Sequence, residues 1–184
     1  MITAGSADIT ENRIAMRNRN MVLEAENTAG LLAALTALPG LPAVNLLDFR
    51  RGCGKVKAAM LGAIAALYDA GAFPSDRIAL IGTGSDGSRT ENLAYYQDYT
   101  EHGRDGGRGQ LFVGTLPTTP LCEAAIALSL HGPAFYLDAN GNRGQLEQEV
   151  ALALASPGTD AVLLFDFSVP GTLQVSLVKS CASC

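Results

Sequence analysis

The sequence lacks the features of a basic, secreted or membrane-spanning protein. Charged residues make up only 17% of the 184 residues, and the net charge of −5 argues against nucleic acid as a partner. The most apolar strand-like run, Ala161-Val-Leu-Leu-Phe165, is far too short to span a bilayer. The first residues, MITAGSADITENR, have no basic start followed by an apolar stretch. We therefore expect a soluble cytoplasmic protein with no nucleic acid or membrane partner.

Cysteine and histidine are also scarce. The four cysteines are Cys53, Cys122, Cys181 and Cys184. Their positions do not form the framework of a disulfide-rich secreted domain. The last two have Cys-x-x-Cys spacing, but no second pair completes a zinc site, so we expect a frayed tail. With only His102 and His131 to supply imidazole, the sequence predicts no metal centre and no bound cofactor.

Apolar residues are abundant, at 48% of the chain, and their periodicity alternates between helix and strand. Helical spacing is seen over residues 31–38, 52–70, 91–100, 119–128 and 144–154, and strand-like runs over 77–81, 134–137, 160–167 and 173–177. This alternation predicts one α/β domain with a sheet covered on both faces. The first 45 residues show no clear pattern.

A glycine-rich segment follows the strand that is predicted over residues 77–81. Gly82-Thr-Gly84-Ser-Asp-Gly87 has the G-x-G-x-x-G spacing of a dinucleotide-binding turn. Such a site also needs a helix that starts within the motif and an acidic residue at the end of a second strand. The position at which this acidic residue would have to lie falls instead in a glycine-rich loop. A strand end followed by a loop is the favoured interpretation.

The strand over residues 134–137 leads into a polar turn, Asp138-Ala139-Asn140-Gly141-Asn142-Arg143, and then into a helix. A turn from strand to helix is where many α/β enzymes hold a nucleophile beside free backbone N–H groups. This turn contains no Ser, Cys or Thr. The sequence leaves open whether it is an active site without its reactive residue or only a turn.

Several landmarks in order resemble the amino-terminal half of a β-ketoacyl synthase, the condensing enzyme of fatty acid and polyketide synthesis. They are the alanine-rich helix at 52–71, Arg77-Ile-Ala-Leu-Ile-Gly-Thr-Gly84, Phe112-Val-Gly-Thr-Leu-Pro-Thr-Thr-Pro120 and Glu123-Ala-Ala-Ile-Ala-Leu-Ser-Leu-His-Gly-Pro133. The resemblance covers residues 45–168 and is closest to short stand-alone ketosynthase-like proteins. It implies a thiolase-like fold, with one half built as a five-stranded, mostly parallel sheet between helical layers.

The resemblance also assigns the polar turn. Condensing members continue from Gly-Pro through a strand into a turn with a nucleophilic cysteine, and counting from Gly132-Pro133 places that position at Gly141. Asn140 and Asn142 replace the small residues beside it. The family's catalytic histidines come from a carboxy-terminal half with no counterpart here. The resemblance therefore implies no condensing activity for this chain alone.

The leading hypothesis is a non-condensing ketosynthase-like subunit of fatty acid or polyketide biosynthesis that acts by binding. It would pair with a second copy or with a full ketosynthase, or receive an acyl carrier protein. In the family the strand before the active-site turn pairs across the dimer axis. The implied dimer seam is Ala134, Phe135, Tyr136 and Leu137.

Two alternatives remain open at this point. One is an acyltransferase or thioesterase that uses Cys122, Cys53 or a water held by the turn, whose candidate oxyanion- or ligand-binding residues are Asp138, Asn140, Asn142 and Arg143. Cys122 lies one turn into a helix, where a buried core thiol is the commoner case. The other alternative is the dinucleotide site.

Overall fold

One seven-stranded sheet organises the protein, in the strand order β3-β2-β1-β7-β6-β4-β5. The structure, a computed structural model, describes residues 1–84, 86–103, 109–138 and 142–181. The strands are β1 Ile2–Ile9, β2 Arg13–Met16, β3 Met21–Glu24, β4 Ile78–Thr83, β5 Ala134–Leu137, β6 Ala161–Asp166 and β7 Leu173–Lys179. The helices are α1 Thr28–Thr36, α2 Gly54–Asp69, α3 Arg89–His102, α4 Gly109–Gly114, α5 Thr119–Leu128 and α6 Arg143–Ala155.

The predicted α/β class is confirmed, but the sheet has seven strands rather than five. Five of them, in the order β5-β4-β6-β7-β1, run in one direction except β7, which is antiparallel to both of its neighbours. The other two, β2 and β3, form a hairpin that pairs antiparallel with β1 and extends the sheet. Small and polar residues dominate β1, so the alternation that identifies a strand is weak there.

Helix α2 forms the centre of the larger core, against one face of the sheet. Every residue from Ala59 to Asp69 is buried, as expected of a helix with apolar or small residues all round. Two glycines let the helix approach the sheet closely. A Cβ at Gly62 would lie 2.5 Å from the Val175 side chain, and one at Gly5 would lie 2.5 Å from the Ala70 backbone. Helices α1 and α5 both pack against α2.

The opposite face of the sheet is covered only in part. Helix α6 packs there against β4 and β6 through Val150, which contacts a small cluster that includes Ala79, Ile81 and Val162. Towards β7 and β1 the same face carries polar side chains, among them Gln174 and Ser176. The sheet therefore has one fully apolar face and one face that is apolar only beneath α6.

Most of the predicted elements are present, with small shifts at their ends. The strand over residues 134–137 is confirmed, and so are the helices around 52–70 and 144–154. Helix α5 ends at Leu128, as the range 119–128 predicts, and its C-cap Ser129 has a positive φ of 53°. Gly132 is required for close packing, since a Cβ there would lie 2.1 Å from the carbonyl oxygen of Ile78. The glycine lets the chain pass against the start of β4 before it enters β5.

No helix in the described ranges is both long enough and apolar enough to cross a membrane.

Candidate functional site

Three parallel strands end side by side at one edge of the sheet, next to the start of α6. The register aligns Thr83 at the end of β4 with Leu137 of β5 and with Asp166 of β6. In α/β sheets, ligands commonly bind in the crevice outside the carboxyl ends of such strands. The polar turn that the sequence singles out leaves β5 at this edge. Its residues 139–141 lie outside the described ranges, so the assignments of Asn140 and of the nucleophile position Gly141 stay predictions.

The last two residues of the turn, Asn142 and Arg143, form the start of α6. The Oδ1 atom of Asn142 accepts a hydrogen bond from the backbone N–H of Gln145 at 3.1 Å, so Asn142 is the N-cap of the helix. Arg143 is almost fully exposed and its Nε lies 3.5 Å from a carboxylate oxygen of Glu147. The Asn142 side chain is thus occupied in capping, while the Arg143 guanidinium can still reach a ligand.

A cleft of about 780 Å³ lies between α6 and the polar part of the sheet. One wall carries Arg143, Leu146, Glu147 and Val150 from α6, and the floor comes from β1, β4, β6 and β7. The polar residues along its floor and rim are Thr3, Ser6, Arg17, Asn18, Thr83, Asp166, Ser168, Gln174 and Ser176. The cleft is large enough for a small molecule or for a segment of a partner protein.

The side chains described along this cleft are mostly polar or charged. Among the described residues around it there is no thiol and no imidazole. The hydroxyls of this lining have no imidazole beside them, the base that most often activates a serine or threonine nucleophile. Arg17 and Arg143 supply positive charge, and Asp166 and Glu147 supply negative charge. The arrangement can hold a polar ligand or partner.

Tyr136 supports the crevice from the other face of the sheet. Its hydroxyl donates a hydrogen bond to the carbonyl oxygen of Gly84 at 3.0 Å, and its ring packs where a Cβ at Gly82 would lie. Burial, together with the negative charges of Asp86 and Asp138, raises the pKa of the Tyr136 hydroxyl to about 12. Tyr136 is therefore neutral at physiological pH and acts as a hydrogen-bond donor that positions the chain after β4.

The glycines of the G-x-G-x-x-G segment serve packing. Gly82 and Gly84 leave room for the side chains of Leu121, Tyr136 and Phe167, which a Cβ would approach to about 3 Å. Helix α3 begins at Arg89, after the motif and not within it. The described part of this segment therefore lacks the strand–turn–helix geometry of a dinucleotide site.

The alternative nucleophiles lie away from the cleft. Cys122 is on α5 and Cys53 is the N-cap residue of α2, and both helices cover the sheet face opposite α6. The expectation that Cys122 is a buried core thiol is wrong, because its side chain is exposed. The helix faces solvent at this position, while Leu121 and Ala124 beside it point into the core. Cys181 is exposed as well, and Cys184 lies outside the described residues.

Cys53 lines a second, smaller cavity of about 470 Å³ between α2, α4 and α5. Val56 and Val113 supply apolar walls, and Glu123 supplies a carboxyl group. Burial raises the pKa of Glu123, and the nearby charge of Asp48 raises it further. This cavity has no counterpart in the sequence-based predictions.

Neither histidine is part of the cleft. The Nδ1 atom of His131 lies 2.7 Å from Asp76 Oδ1 on the surface. His102 lies at the end of α3, with its Nδ1 atom 3.2 Å from Asp98 Oδ1. In the described parts of the chain, no group of three or more His, Cys, Asp or Glu residues could hold a metal ion.

The predicted seam strand lies at an edge of the sheet. β5 pairs with β4 on one side only, and all four of its residues are half-buried. Another chain could pair with β5 only if the strand had such a free edge.

The sequence analysis did not identify Thr83, Asp166 and the polar residues of β1 and β7 as parts of the cleft. The available signal was a polar residue at the end of each buried strand, such as Asp166 after Ala161-Val-Leu-Leu-Phe165.

No family model matches the sequence, and no curated protein is similar to it. Solved structures do match. A ketosynthase in complex with its chain length factor from Xenorhabdus doucetiae has a TM-score of 0.57 at 14% identity, over 99% of this chain and 81% of that one.

Two further solved structures match at similar levels. The ishigamide ketosynthase/chain length factor has a TM-score of 0.58 at 12% identity, over all of this chain and 63% of that one. A β-ketoacyl synthase from Burkholderia phymatum has a TM-score of 0.59 at 14% identity, over 97% of this chain and 59% of that one. The chain thus spans about three fifths of these last two proteins. The fold of this protein is the thiolase-like fold of the ketosynthases.

Proposed function

We propose that this protein is a non-condensing, ketosynthase-like accessory subunit of fatty acid or polyketide biosynthesis. The observation that carries the proposal is the cleft at the start of α6, whose described lining has no thiol and no imidazole although the surrounding fold is that of ketosynthases. The family resemblance places Gly141 at the nucleophile position, and glycine cannot form an acyl thioester. A subunit of this kind acts by binding a partner or an acyl chain.

The partner we propose is a second copy of this chain or a full ketosynthase. Two of the matched structures are named as a ketosynthase together with a chain length factor. The edge strand β5 has a free side on which another strand can add. An acyl carrier protein is the further proposed partner, and the exposed Arg143 and Arg17 at the cleft are the positive groups that would receive its negative surface.

The first test is the intact mass of the protein after incubation with an acylated carrier protein and, separately, with an acyl-CoA. We expect no covalent adduct on the wild-type chain. Gly141→Cys is the matched variant, since it returns a thiol to the position where the family has its nucleophile. An acyl adduct on the variant alone would support the assignment of the turn. An adduct on the wild-type chain would contradict the proposal.

The same samples test the alternative, an acyltransferase or thioesterase of altered chemistry. Both Cys122 and Cys53 are exposed, and Cys53 also faces a cavity that contains a carboxyl group, Glu123. If the wild-type chain carries an adduct, Cys53→Ser and Cys122→Ser identify the residue. Loss of the adduct in one of them would assign the protein to this enzyme class.

The seam is tested at the backbone of β5, because Tyr136 also has contacts within the chain. The carbonyl oxygen of Pro133 accepts from the N–H of Leu80, so in this parallel pair the N–H of Ala134 points to the free edge. Ala134→Pro therefore removes an edge donor without removing a bond to β4. We expect it to weaken self-association, or association with a ketosynthase, while thermal unfolding stays cooperative. A variant that associates as tightly as the wild type would remove β5 as the seam.

A further inference from the structure

We infer that the floor of the cleft beside α6 is a binding site for a sugar-like ligand, an uncharged molecule with several hydroxyl groups. This inference goes beyond the proposed accessory role. It starts from Thr83 and Ser6, which line the cleft although they are only 5% and 4% exposed. Neither hydroxyl forms a hydrogen bond with another residue in the part of the chain that the structure describes. Among described side-chain atoms, only Glu91 Oε2 is both sealed from solvent and without a hydrogen bond, so the two hydroxyls stay open to the cleft.

The alternation of side chains along the strands directs both hydroxyls towards the cleft. In β4, Ile81 packs with Val150 of α6, and Thr83 lies on the same face two residues further on. In β1, Ala7 packs in the core around α2, so its neighbour Ser6 lies on the opposite face. Buried polar groups normally have a hydrogen-bond partner, and a group without one requires an explanation. Two such groups that face one cleft point to a ligand.

The other polar groups of the floor are mainly acceptors of hydrogen bonds. The side-chain amide of Gln174 donates to Asp8 Oδ1 at 2.9 Å, which leaves its carbonyl oxygen for a ligand. Asp166 Oδ1 accepts from a backbone N–H at 2.8 Å, which leaves the second carboxylate oxygen. Ser176 lies beside Ser6 in the strand register and adds a hydroxyl that both donates and accepts. A ligand on this floor must therefore supply donors.

The charges of the lining favour a neutral ligand. Of the described strand residues that line the cleft, Asp166 is the only charged one. The two arginines lie at its sides, and each has a carboxylate oxygen at 3.5 Å: Arg17 that of Asp8, and Arg143 that of Glu147. An anion on the floor would be repelled by Asp166. Hydroxyl groups donate without carrying charge, and they also accept from the serine and threonine hydroxyls of the floor.

The size of the cleft and its apolar side fit the same class of ligand. In the sheet, β7 and β6 separate β1 from β4, so the strands that carry the two hydroxyls lie about 14 Å apart. A ligand that reaches both must be extended, as two linked sugar rings are, and the cleft of about 780 Å³ has room for it. Leu146 and Val150 of α6 and Leu164 and Val178 of the floor supply apolar contacts for the C–H faces of the rings.

The experiment is an NMR titration of the full, isotopically labelled chain with sucrose, maltose and trehalose, which differ in the linkage between their rings. Sugars stabilise proteins in general by exclusion from the surface, so a thermal shift is not diagnostic, whereas a saturable change of particular amide signals is. We expect saturable changes in β1, β4, β6 and β7 around the cleft with at least one of the three sugars. No saturable change with any of them, or changes confined to other parts of the chain, overturns the inference.

The test variants are Thr83→Val and Ser6→Ala, each of which removes one hydroxyl. We expect each to raise the dissociation constant for the sugar about tenfold or more, while the melting temperature of the free protein stays or rises, because no internal hydrogen bond is lost. Thr119→Val is the matched control at another buried threonine, whose hydroxyl donates to the carbonyl oxygen of Val113 at 2.6 Å. The control should bind the sugar as the wild type does and melt at a lower temperature.

Unchanged sugar binding in both test variants contradicts the inference. So does a melting temperature that falls in Thr83→Val as far as in Thr119→Val, because it would show that the Thr83 hydroxyl has a partner within the protein. If one test variant does not fold by circular dichroism, the other decides, since it lies on a different strand.

Putrescine is the probe for the competing class of ligand, a cationic amine. Saturable changes with this diamine and none with the sugars would mean that Asp166 selects a cation, which contradicts the inference. The outcomes also separate this inference from the proposed function. A sugar bound in the cleft together with a covalent acyl adduct on the wild-type chain contradicts only the accessory role. A dimer that is lost in Ala134→Pro, without sugar binding, contradicts only the ligand site.

Discussion

The carboxylate of Asp69, at the last position of α2, accepts a hydrogen bond from the backbone N–H of Ser6 in β1 at 2.8 Å. The same carboxylate accepts from the N–H groups of Asn18 at 3.2 Å and of Arg19 at 2.9 Å. Asp69 is only 4% exposed. One buried side chain thus joins the central helix to β1 and to the turn between β2 and β3, the part of the chain whose sequence pattern is weakest.

Replacing Asp69 with alanine should be strongly destabilising. It leaves three backbone donors without an acceptor, of which the one from Ser6 is buried. We expect the free energy of unfolding to fall by about 3 kcal/mol. Urea denaturation monitored by circular dichroism measures it. Asp69→Asn keeps one acceptor oxygen and should lose less. If Asp69→Ala unfolds with the wild-type midpoint, the carboxylate does not hold the hairpin.

Gly132 should tolerate no side chain. A Cβ there would meet the carbonyl oxygen of Ile78 at 2.1 Å, and this carbonyl belongs to the backbone, so it cannot move aside cheaply. Gly132→Ala should cost about 3 kcal/mol or more of stability. Gly144→Ala is the matched control in the first turn of α6, where the nearest atom is 3.5 Å away. The control should be neutral or gain up to about 1 kcal/mol from helix propensity. Equal thermal midpoints for the two variants would contradict this account of the turn into β5.

The raised pKa of Tyr136 predicts a dependence of stability on alkaline pH. Burial and the charges of Asp86 and Asp138 keep the folded hydroxyl protonated up to about pH 12, while the unfolded tyrosine ionises near 10. The folded state therefore binds this proton more tightly, so its contribution is complete below pH 10 and is lost as the pH rises towards 12.

Tyr136→Phe tests this dependence. It should remove a component of the tyrosinate absorbance that titrates near pH 12 in the native protein, and it should flatten stability across that window. At neutral pH it should cost about 1 kcal/mol, because the hydrogen bond to Gly84 is lost. An unchanged absorbance titration would mean that Tyr136 ionises as a free tyrosine.

The raised pKa of Glu123 predicts a dependence of stability on acidic pH. Burial and the charge of Asp48 raise its pKa, so the folded state favours the protonated carboxyl and loses this stabilisation as the pH rises past the usual value of 4.5. Glu123→Gln should therefore raise the melting temperature slightly at pH 7. The gain should disappear below pH 4.5, where the wild-type carboxyl is neutral too. Thermal scans at the two pH values make the comparison. A melting temperature that falls at pH 7 would show that the charged form is stabilised.

The helices and the buried strands could be predicted because their patterns are local. The run from Ala161 to Phe165 is apolar throughout, and Pro39 and Gly71 lie just beyond the ends of two predicted helices. The hairpin of β2 and β3 could not be predicted in the same way. Its strands are short. Their buried residues, such as Ile14 and Met16, are buried only because they pack in the core with helices far along the chain. The exposure of Cys122 was mispredicted for a related reason, since its helix has an apolar composition all round and only packing decides which side faces solvent.

At the candidate site, the turn after β5, its lack of Ser, Cys and Thr, and the scarcity of histidine could all be predicted without a structure. These are matters of residue type and order, which need no coordinates. Three other features come from long-range packing: Asp166, Thr83 and Arg143 share one cleft, β5 is an edge strand, and α3 and α4 expose apolar side chains. Each of these depends on strand order and on which helix covers which face, because contacts between distant segments of the chain set both.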